Sequence, residues 1–388
     1  MKFLFVGTNP EDSGAATHFV ALAQAMAEAG NEVGVVACPG GLIAEELSHS
    51  NVKVYLATFR NAFDVRGYVN VLAAARKMHP DWLVGNFGKE YWPLVVIGRL
   101  LRVPVALFRH RTTPMKRLSA YLFPRLAKRF IAVSDYARQG YLEQGIPAHL
   151  VRMLYNPVNM AQYKPDEEKR EAIRRALGLD PDAIVLGYVG RMHGRKGVLP
   201  LLEAASQAML REPRLHCLWI GDGPETQALR ARAATDPQCT RHHFVSWTHD
   251  VHPYYGVMSM LAFPSIAPET FGRVSVEAQA SGVPVLASDI GGIPETLDAG
   301  VTGLLLPPDD VVAWRDAILQ MCDPSRRLPM GANSREFVQK HFSTPVIAAE
   351  FTRMLVGDEV TISPSTPTDA YLCAVAADER LSHEHFGA

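Results

Sequence analysis

The chain has no long apolar run. Its most apolar stretch, Trp92 to Phe108, is broken by Pro93, Arg99, Arg102 and Pro104, whereas a transmembrane helix needs about 20 nearly uninterrupted apolar residues. Phe3 to Val6 is too short for the apolar core of a secretory leader and runs straight into a Gly/Asn/Pro loop, so no signal peptide is expected. Cysteine is scarce. Five are scattered (Cys38, Cys217, Cys239, Cys322, Cys373) with no CxxC pair, which argues against a disulfide framework or a zinc site and for free thiols in a reducing cytosol. An excess of one charge is also missing. Thirty-nine Lys and Arg face forty Asp and Glu, a net charge of −1, so no global field favours nucleic acid.

What is present is ordinary for a soluble globular protein: 48% apolar and 20% charged over 388 residues, a length that predicts two or three domains. The near-zero charge hides an asymmetry, +6 over residues 1–150 and −7 over the remainder, which predicts two domains with different surface partners. Each half alternates short apolar runs with amphipathic helical segments. Phe3–Val6, Val33–Val36, Val52–Tyr55, Trp82–Val84, Val105–Leu107 and Phe130–Val133 read as strands in the first half, and Ile184–Val189, Leu215–Ile220, Met260–Phe263 and Val283–Ala287 in the second. The clearest helix starts at Ser13 as N-cap, aligns Phe19, Leu22, Ala23 and Met26, and stops at Gly30. Continuous apolar strands joined by helices make an α/β chain with two Rossmann-like, doubly wound parallel sheets. The expected division is residues 1–160 and 161–343, then a helix at 344–357 returning to the first domain, then a loosely ordered Ser/Thr/Pro/Asp-containing tail, 358–388.

In such sheets ligands bind at the carboxyl ends of strands, so strand exits hold the candidate chemistry. After the first strand comes a loop ending at Gly14, which is not GxGxxG but lets a phosphate or sugar approach the backbone, or is a plain loop glycine. Gly190-Arg191-Met192-His193-Gly194-Arg195-Lys196-Gly197 follows the first strand of the second half. It is either a diphosphate cradle or a solvated basic loop. Gly221-Asp222-Gly223-Pro224 is a turn. The richest stretch is Pro268 to Glu277 (PETFGRVSVE). Glu269 lies on its loop, the helix N-terminus near Gly272–Val274 offers N–H groups to an anion, and Glu277 lies in the helix, where a capping role is the alternative.

In this order the motifs resemble those of glycosyltransferase family 4, retaining nucleotide-sugar glycosyltransferases of the GT-B fold, up to about residue 356. Glu269–Glu295 is similar to the family's Glu-x7-Glu block with its Gly-Gly-x-Pro-Glu continuation. Gly190, Arg191, Lys196 and Gly197 match Gly-Arg-x4-Lys-Gly, Gly221–Pro224 matches Gly-x-Gly-Pro, and Asn156-Pro157-Val158-Asn159 resembles Asn-Gly-Val-Asp. Arg195, Thr270 and Pro157 depart from the commonest pattern, and Arg195 adds a third cation. The resemblance implies that the two domains face a cleft. Arg191 and Lys196 would neutralise the departing diphosphate, and Glu277 would bind the ribose. Glu269 would face the donor sugar, with Phe271, Gly272, Arg273 and Val274 near sugar and phosphates. Gly190, Gly221 and Gly223 would shape the donor site, Trp247 would line the base, and Gly14 would sit where donor and acceptor meet. His110 would stand beside the donor sugar, a surface histidine being the alternative. No cofactor and no metal is implied: Asp-x-Asp pairs of metal-dependent transferases are missing from plausible loops, and the cations would replace Mg²⁺.

For the acceptor side, Arg109, Arg111, Lys116, Arg117, Arg125, Lys128 and Arg129 fall in an acid-free stretch interleaved with Leu118, Tyr121, Leu122 and Phe123. That composition suits an anionic membrane surface or a phosphorylated lipid-linked acceptor, or a solvated basic helix. The expected enzyme is cytoplasmic, peripheral on the inner face of the membrane, and builds lipopolysaccharide, exopolysaccharide or glycolipid. The alternatives are a sugar-nucleotide epimerase on a similar scaffold and a non-catalytic nucleotide-sugar-binding protein.

Overall fold

The computed structural model describes residues 1–10, 13–61, 63–248 and 250–357. They form two compact units, one of Met1–Gln162 with Val338–Val356, the other built on Tyr163–Phe337. The expected tail, 358–388, lies outside the described residues. In the first unit the chain runs β1 (Lys2–Gly7), α1 (Gly14–Glu28), β2 (Glu32–Ala37), α2 (Leu42–Leu47), β3 (Lys53–Leu56), α3 (Val65–Met78), β4 (Trp82–Gly85), α4 (Tyr91–Leu101), β5 (Val105–Arg109), α5 (Arg117–Leu126), β6 (Arg129–Ala132), α6 (Asp135–Glu143) and β7 (Val151–Met153). The second unit continues with α7 (Glu167–Ala176), β8 (Ile184–Val189), α8 (Val198–Met209), β9 (Leu215–Ile220), α9 (Thr226–Ala234), β10 (His242–Val245), α10 (His252–Tyr255), β11 (Met260–Phe263), α11 (Arg273–Ala280), β12 (Val285–Ser288), β13 (Gly303–Leu306), α12 (Val311–Cys322) and most of α13 (Pro324–His341). The last helix, α14 (Thr344–Val356), belongs to the first unit.

The first sheet has seven strands in the order β3-β2-β1-β4-β5-β6-β7 and the second six in the order β10-β9-β8-β11-β12-β13. Every pairing within them is parallel. Strands such as β1 are apolar on both sides because helices cover both faces. Phe3 and Phe5 meet α1 and α14, while Leu4 and Val6 meet α3 and α4. Phe19 of α1 stands edge-on to Phe5 at 5.6 Å, a geometry that adds about 0.5–1.5 kcal/mol to area burial. α1 begins where its sequence says, the Ser13 hydroxyl accepting from the Ala16 N–H at 3.3 Å.

The second crossing of the chain falls before Val338 rather than at 343. Strand-like bonds explain this: Val158 N–H donates to Phe342 O and Thr344 N–H to Val158 O. Phe342 also packs on Tyr155 at 5.2 Å, so the end of α13 is anchored to the first unit. In each sheet the strand order reverses once, between β1 and β4 and between β8 and β11. At such a switch point the two connections leave in opposite directions and open a crevice at the carboxyl ends. Both crevices hold the candidate chemistry.

Candidate active site

At the first crevice Gly14 opens α1 and His110 follows β5 directly. His110 donates through Nε2 to Asn86 Oδ1 at 2.7 Å. The Asn86 amide is oriented by its own bond from Nδ2 to Ala15 O, 2.8 Å, which fixes which nitrogen of the ring carries the proton. The His18 ring lies against that of His110 at 4.7 Å. Burial pushes the imidazole down to about 3, so at neutral pH His110 is an uncharged ring. After β4, Glu90 is wholly buried and accepts from Thr8 N at 2.6 Å, Thr8 Oγ1 at 2.9 Å and Phe87 N at 3.2 Å. Burial raises it to about 7 against these three donors. Lys89 Nζ donates to Thr8 O at 2.9 Å. Asn86, Lys89 and Glu90 were not among the sequence candidates, although a polar group directly after the all-buried β4 is the same strand-exit signal used elsewhere.

The two titrations pull in opposite directions. Below its ordinary value of 6.5 the unfolded chain protonates at His110 while the folded chain does not, so stability is lost as pH falls. For Glu90 the folded chain keeps its proton longer, so stability is lost as pH rises between the two values. The informative measurement is therefore a variant difference. His110→Gln keeps a donor for Asn86 and removes the titration. Its unfolding free energy, read from denaturant titrations, should gain on the parent's by about 2 kcal/mol between pH 7 and pH 5; an unchanged difference would show the ring to be solvated.

The second crevice is a backbone cradle. The exit of β8 turns through Gly190, whose N–H donates to Ile220 O, and Met192 N–H donates to Asp222 O. Gly221 adopts φ +125°, and a Cβ there would collide with the Gly190 carbonyl; one on Gly223 would collide with that of Met192. Gly197, at φ +67°, likewise has no room before Pro264 O. Gly197→Ala should thus lower stability by about 1–3 kcal/mol, read as a fall in Tm. Trp247, half exposed at the end of β10, is held by its N–H to Asp222 Oδ2 at 2.7 Å. Arg191 is exposed and its carbonyl accepts from Tyr188 OH at 3.0 Å.

Across the switch point Lys196 Nζ lies 2.6 Å from Glu269 Oε1, which also accepts from Ser265 Oγ at 3.0 Å. Gly292 N–H holds the Glu269 carbonyl at 2.8 Å, so the 291–292 turn buttresses the loop. Phe271 is buried, Gly272 is the N-cap of α11, and Val274 is half-buried in its first turn. Glu277 is placed in a second network: Oε1 meets Arg273 Nη2 at 2.5 Å and Oε2 accepts from Tyr255 OH at 2.9 Å. The sequence did not show Ser265 or Tyr255. Among the described residues no group of three or more His, Cys, Asp or Glu side chains is placed to hold a metal ion.

The family model described as "Glycosyltransferase Family 4" matches residues 13–162, and the one described as "Glycosyl transferases group 1" matches residues 183–323. The chain belongs to glycosyltransferase family 4. A "D-inositol 3-phosphate glycosyltransferase" of Corynebacterium kroppenstedtii is 34% identical over 195 residues, 47% of this chain and 43% of that one. Its namesake in Kribbella flavida is 29% identical over 323 residues, 76% of this chain and 74% of its own. The match thus spans less than half the length of the first of these relatives. A crystal structure of Anabaena HepE in complex with UDP and glucose superposes with a TM-score of 0.78 at 22% identity, covering 92% of this chain and 99% of that one. The fold is GT-B. In this family 4 chain the first matched segment carries Gly14 and His110, the second Arg191, Lys196, Glu269 and Glu277.

The acceptor-side cations divide. Arg109 is turned inward, its Nη2 donating to Thr113 O at 2.6 Å and its guanidinium lying 5.9 Å over the Tyr141 ring. It ends β5, where its reach is taken up by that loop, so it is not part of a basic surface. Arg129 likewise donates to Met354 O at 2.7 Å. Arg111, Lys116 and Arg117 are exposed.

Proposed function

We propose that the protein is a retaining, metal-independent glycosyltransferase that moves a sugar from a nucleoside-diphosphate sugar to a hydroxyl of a glycan or glycolipid acceptor at the cytoplasmic face of a membrane. The observation that carries this reading is the Lys196–Glu269 pair, a cation and a carboxylate 2.6 Å apart at the switch point of a sheet whose strand exits form a glycine-lined backbone cradle. The donor diphosphate fits the cradle, where Lys196 and Arg191 supply fixed positive charge and the N-terminus of α11 supplies N–H groups. Lys196 would then exchange Glu269 for phosphate and release the carboxylate toward the sugar. In the transfer, the bond from the anomeric carbon to the phosphate oxygen breaks and a bond to the acceptor oxygen forms on the same face. The acceptor proton passes to the leaving phosphate. Such preorganised cations act where charge develops, and each 1.4 kcal/mol or so is tenfold in rate.

The relatives' names and the UDP and glucose held by HepE support a nucleotide-sugar donor and, through the inositol-phosphate glycosyltransferases, a glycolipid-type product. Among the described residues no helix is long and apolar enough to cross a membrane, so a membrane-bound acceptor would be met from the surface. The test is a thermal-shift panel of UDP-, GDP- and ADP-sugars followed by product analysis. A bound donor at 100 times its Kd should stabilise the protein by about 2.7 kcal/mol, and one sugar should appear on an added acceptor. No shift with any nucleotide sugar would overturn the reading, and isomerised donor without acceptor would replace it with an epimerase.

A further inference from the structure

Thr8, directly after β1, has its polar groups taken up by two consecutive residues at the exit of β4. Its N–H and its hydroxyl both donate to Glu90 Oε1, at 2.6 and 2.9 Å, and its carbonyl accepts from Lys89 Nζ at 2.9 Å. The other Glu90 oxygen accepts from the Phe87 N–H at 3.2 Å. Four residues before Glu90, Asn86 holds the far side of the β1–α1 connection by donating to Ala15 O at 2.8 Å, and its amide oxygen meets His110 Nε2. β1 and β4 are the neighbours at the strand reversal, with Val6 opposite Gly85, so these bonds lie at the first crevice. The stretch Asn86–Glu90 therefore ties together the end of β1, the start of α1 and the exit of β5.

A carboxylate is a costly choice for such a tie. Thr8 is 1% and Glu90 0% exposed, and a charge taken that far from water is expensive where neutral groups could bond instead. What the ionised carboxylate supplies is acceptor capacity with no donor of its own, matched to the donors that converge on it. A proton on either oxygen would weaken it as an acceptor and bring an O–H among those N–H and O–H groups. The groups that face Glu90 are Thr8 from β1, the Lys89 ammonium, whose charge favours ionisation, and the Tyr91 phenol, which burial keeps protonated. Burial outweighs the donors and the ammonium, so the carboxyl titrates at about 7. The tight form of the tie is thus gained as pH rises.

We propose that Glu90 is a positioning residue for sugar transfer: with Lys89 and Asn86 its carboxylate clasps both flanks of the β1–α1 connection and so sets Gly14 and His110 for the reaction. The purpose of the clasp rests on the glycosyltransferase reading. A shift of about 1 Å in such a frame can cost up to about 100-fold in rate. Glu90→Gln keeps an oxygen for Thr8 but turns an amide NH2 toward the Phe87 N–H. Its kcat at pH 8 should fall roughly 10- to 100-fold, with donor KM within about twofold and the nucleotide-sugar thermal shift retained. The parent's kcat should rise roughly 5- to 10-fold from pH 6 to pH 8 as Glu90 loses its proton, and that rise should vanish in Glu90→Gln. A merely structural tie would lower Tm and leave the pH limb in place. Thr8→Val keeps the backbone bond and loses the hydroxyl, so kcat should fall roughly 3- to 10-fold with the limb intact, while Thr8→Ser restores it. This pair decides the matter if Glu90→Gln does not fold, parental kcat in Thr8→Val overturning the proposal. A parent that transfers sugar alongside a Glu90→Gln variant with parental kcat, or with the same pH limb, overturns the inference alone. A parent that transfers no sugar from any donor of the panel overturns the glycosyltransferase reading and this inference with it.

Discussion

Lys196→Ala is expected to reduce turnover by about 10²–10³-fold while leaving the second unit folded. The side chains of the Lys196–Glu269 pair are 30% and 24% exposed, and partly solvated pairs of this kind contribute no more than about 1 kcal/mol to stability. Glu269 also keeps Ser265 Oγ at 3.0 Å when the lysine is gone. Folding therefore loses little. Catalysis loses more, because the departing diphosphate gains charge in a site where a fixed cation is worth about 3–4 kcal/mol. The split between parameters carries the information. A cation that acts on the developing charge lowers kcat, whereas one that holds the ground-state diphosphate raises KM with kcat unchanged. Steady-state kinetics with a saturating acceptor, alongside a Tm, separate the two. Full turnover in Lys196→Ala would remove the charge-neutralising role and with it the main support for transfer at this crevice.

The architecture was legible where burial is complete. Phe3–Val6 and Ile184–Val189 are continuous apolar runs because they are inner strands covered on both faces. The strands that escaped, Val151–Met153, His242–Val245 and Gly303–Leu306, all lie at sheet edges, where short length and partial exposure dilute the pattern. Strand exits rich in glycine and charge announced Arg191, Lys196 and Glu269, while the pairing of Arg273 with Glu277, four residues apart on α11, emerged only in the structure. Partners brought together only by the fold were invisible: Thr8 and Glu90 are 82 residues apart, and Tyr255 reaches Glu277 across 22. Arg109 shows a different limit. Composition counts a guanidinium as surface charge, but its direction is set by a carbonyl four residues on and by the Tyr141 ring.

Glu277→Ala is expected to destabilise the second unit by about 3–5 kcal/mol, the scale for removing one partner of a buried ion pair. Glu277 is 6% exposed and both its oxygens are engaged, by Arg273 at 2.5 Å and Tyr255 OH at 2.9 Å. Burial, and next the Glu277 carboxylate, raise Tyr255 well above the usual phenol range, so the hydroxyl stays a donor. Without the carboxylate, Arg273 is left as an unpaired cation in the first turn of α11, where the helix dipole is already positive. The fall in Tm should be roughly 10 °C for a unit of this size. A ribose role for Glu277 predicts something further, and Tyr255→Phe isolates it. That variant removes one hydrogen bond, about 1–2 kcal/mol, and leaves the carboxylate in place. If Glu277 takes the ribose hydroxyls, donor affinity measured well below either Tm should fall in Glu277→Ala and hold in Tyr255→Phe. If affinity instead declines in both variants in proportion to their lost stability, Glu277 serves to hold α11 against α10, and the ribose must be bound by other groups of the crevice.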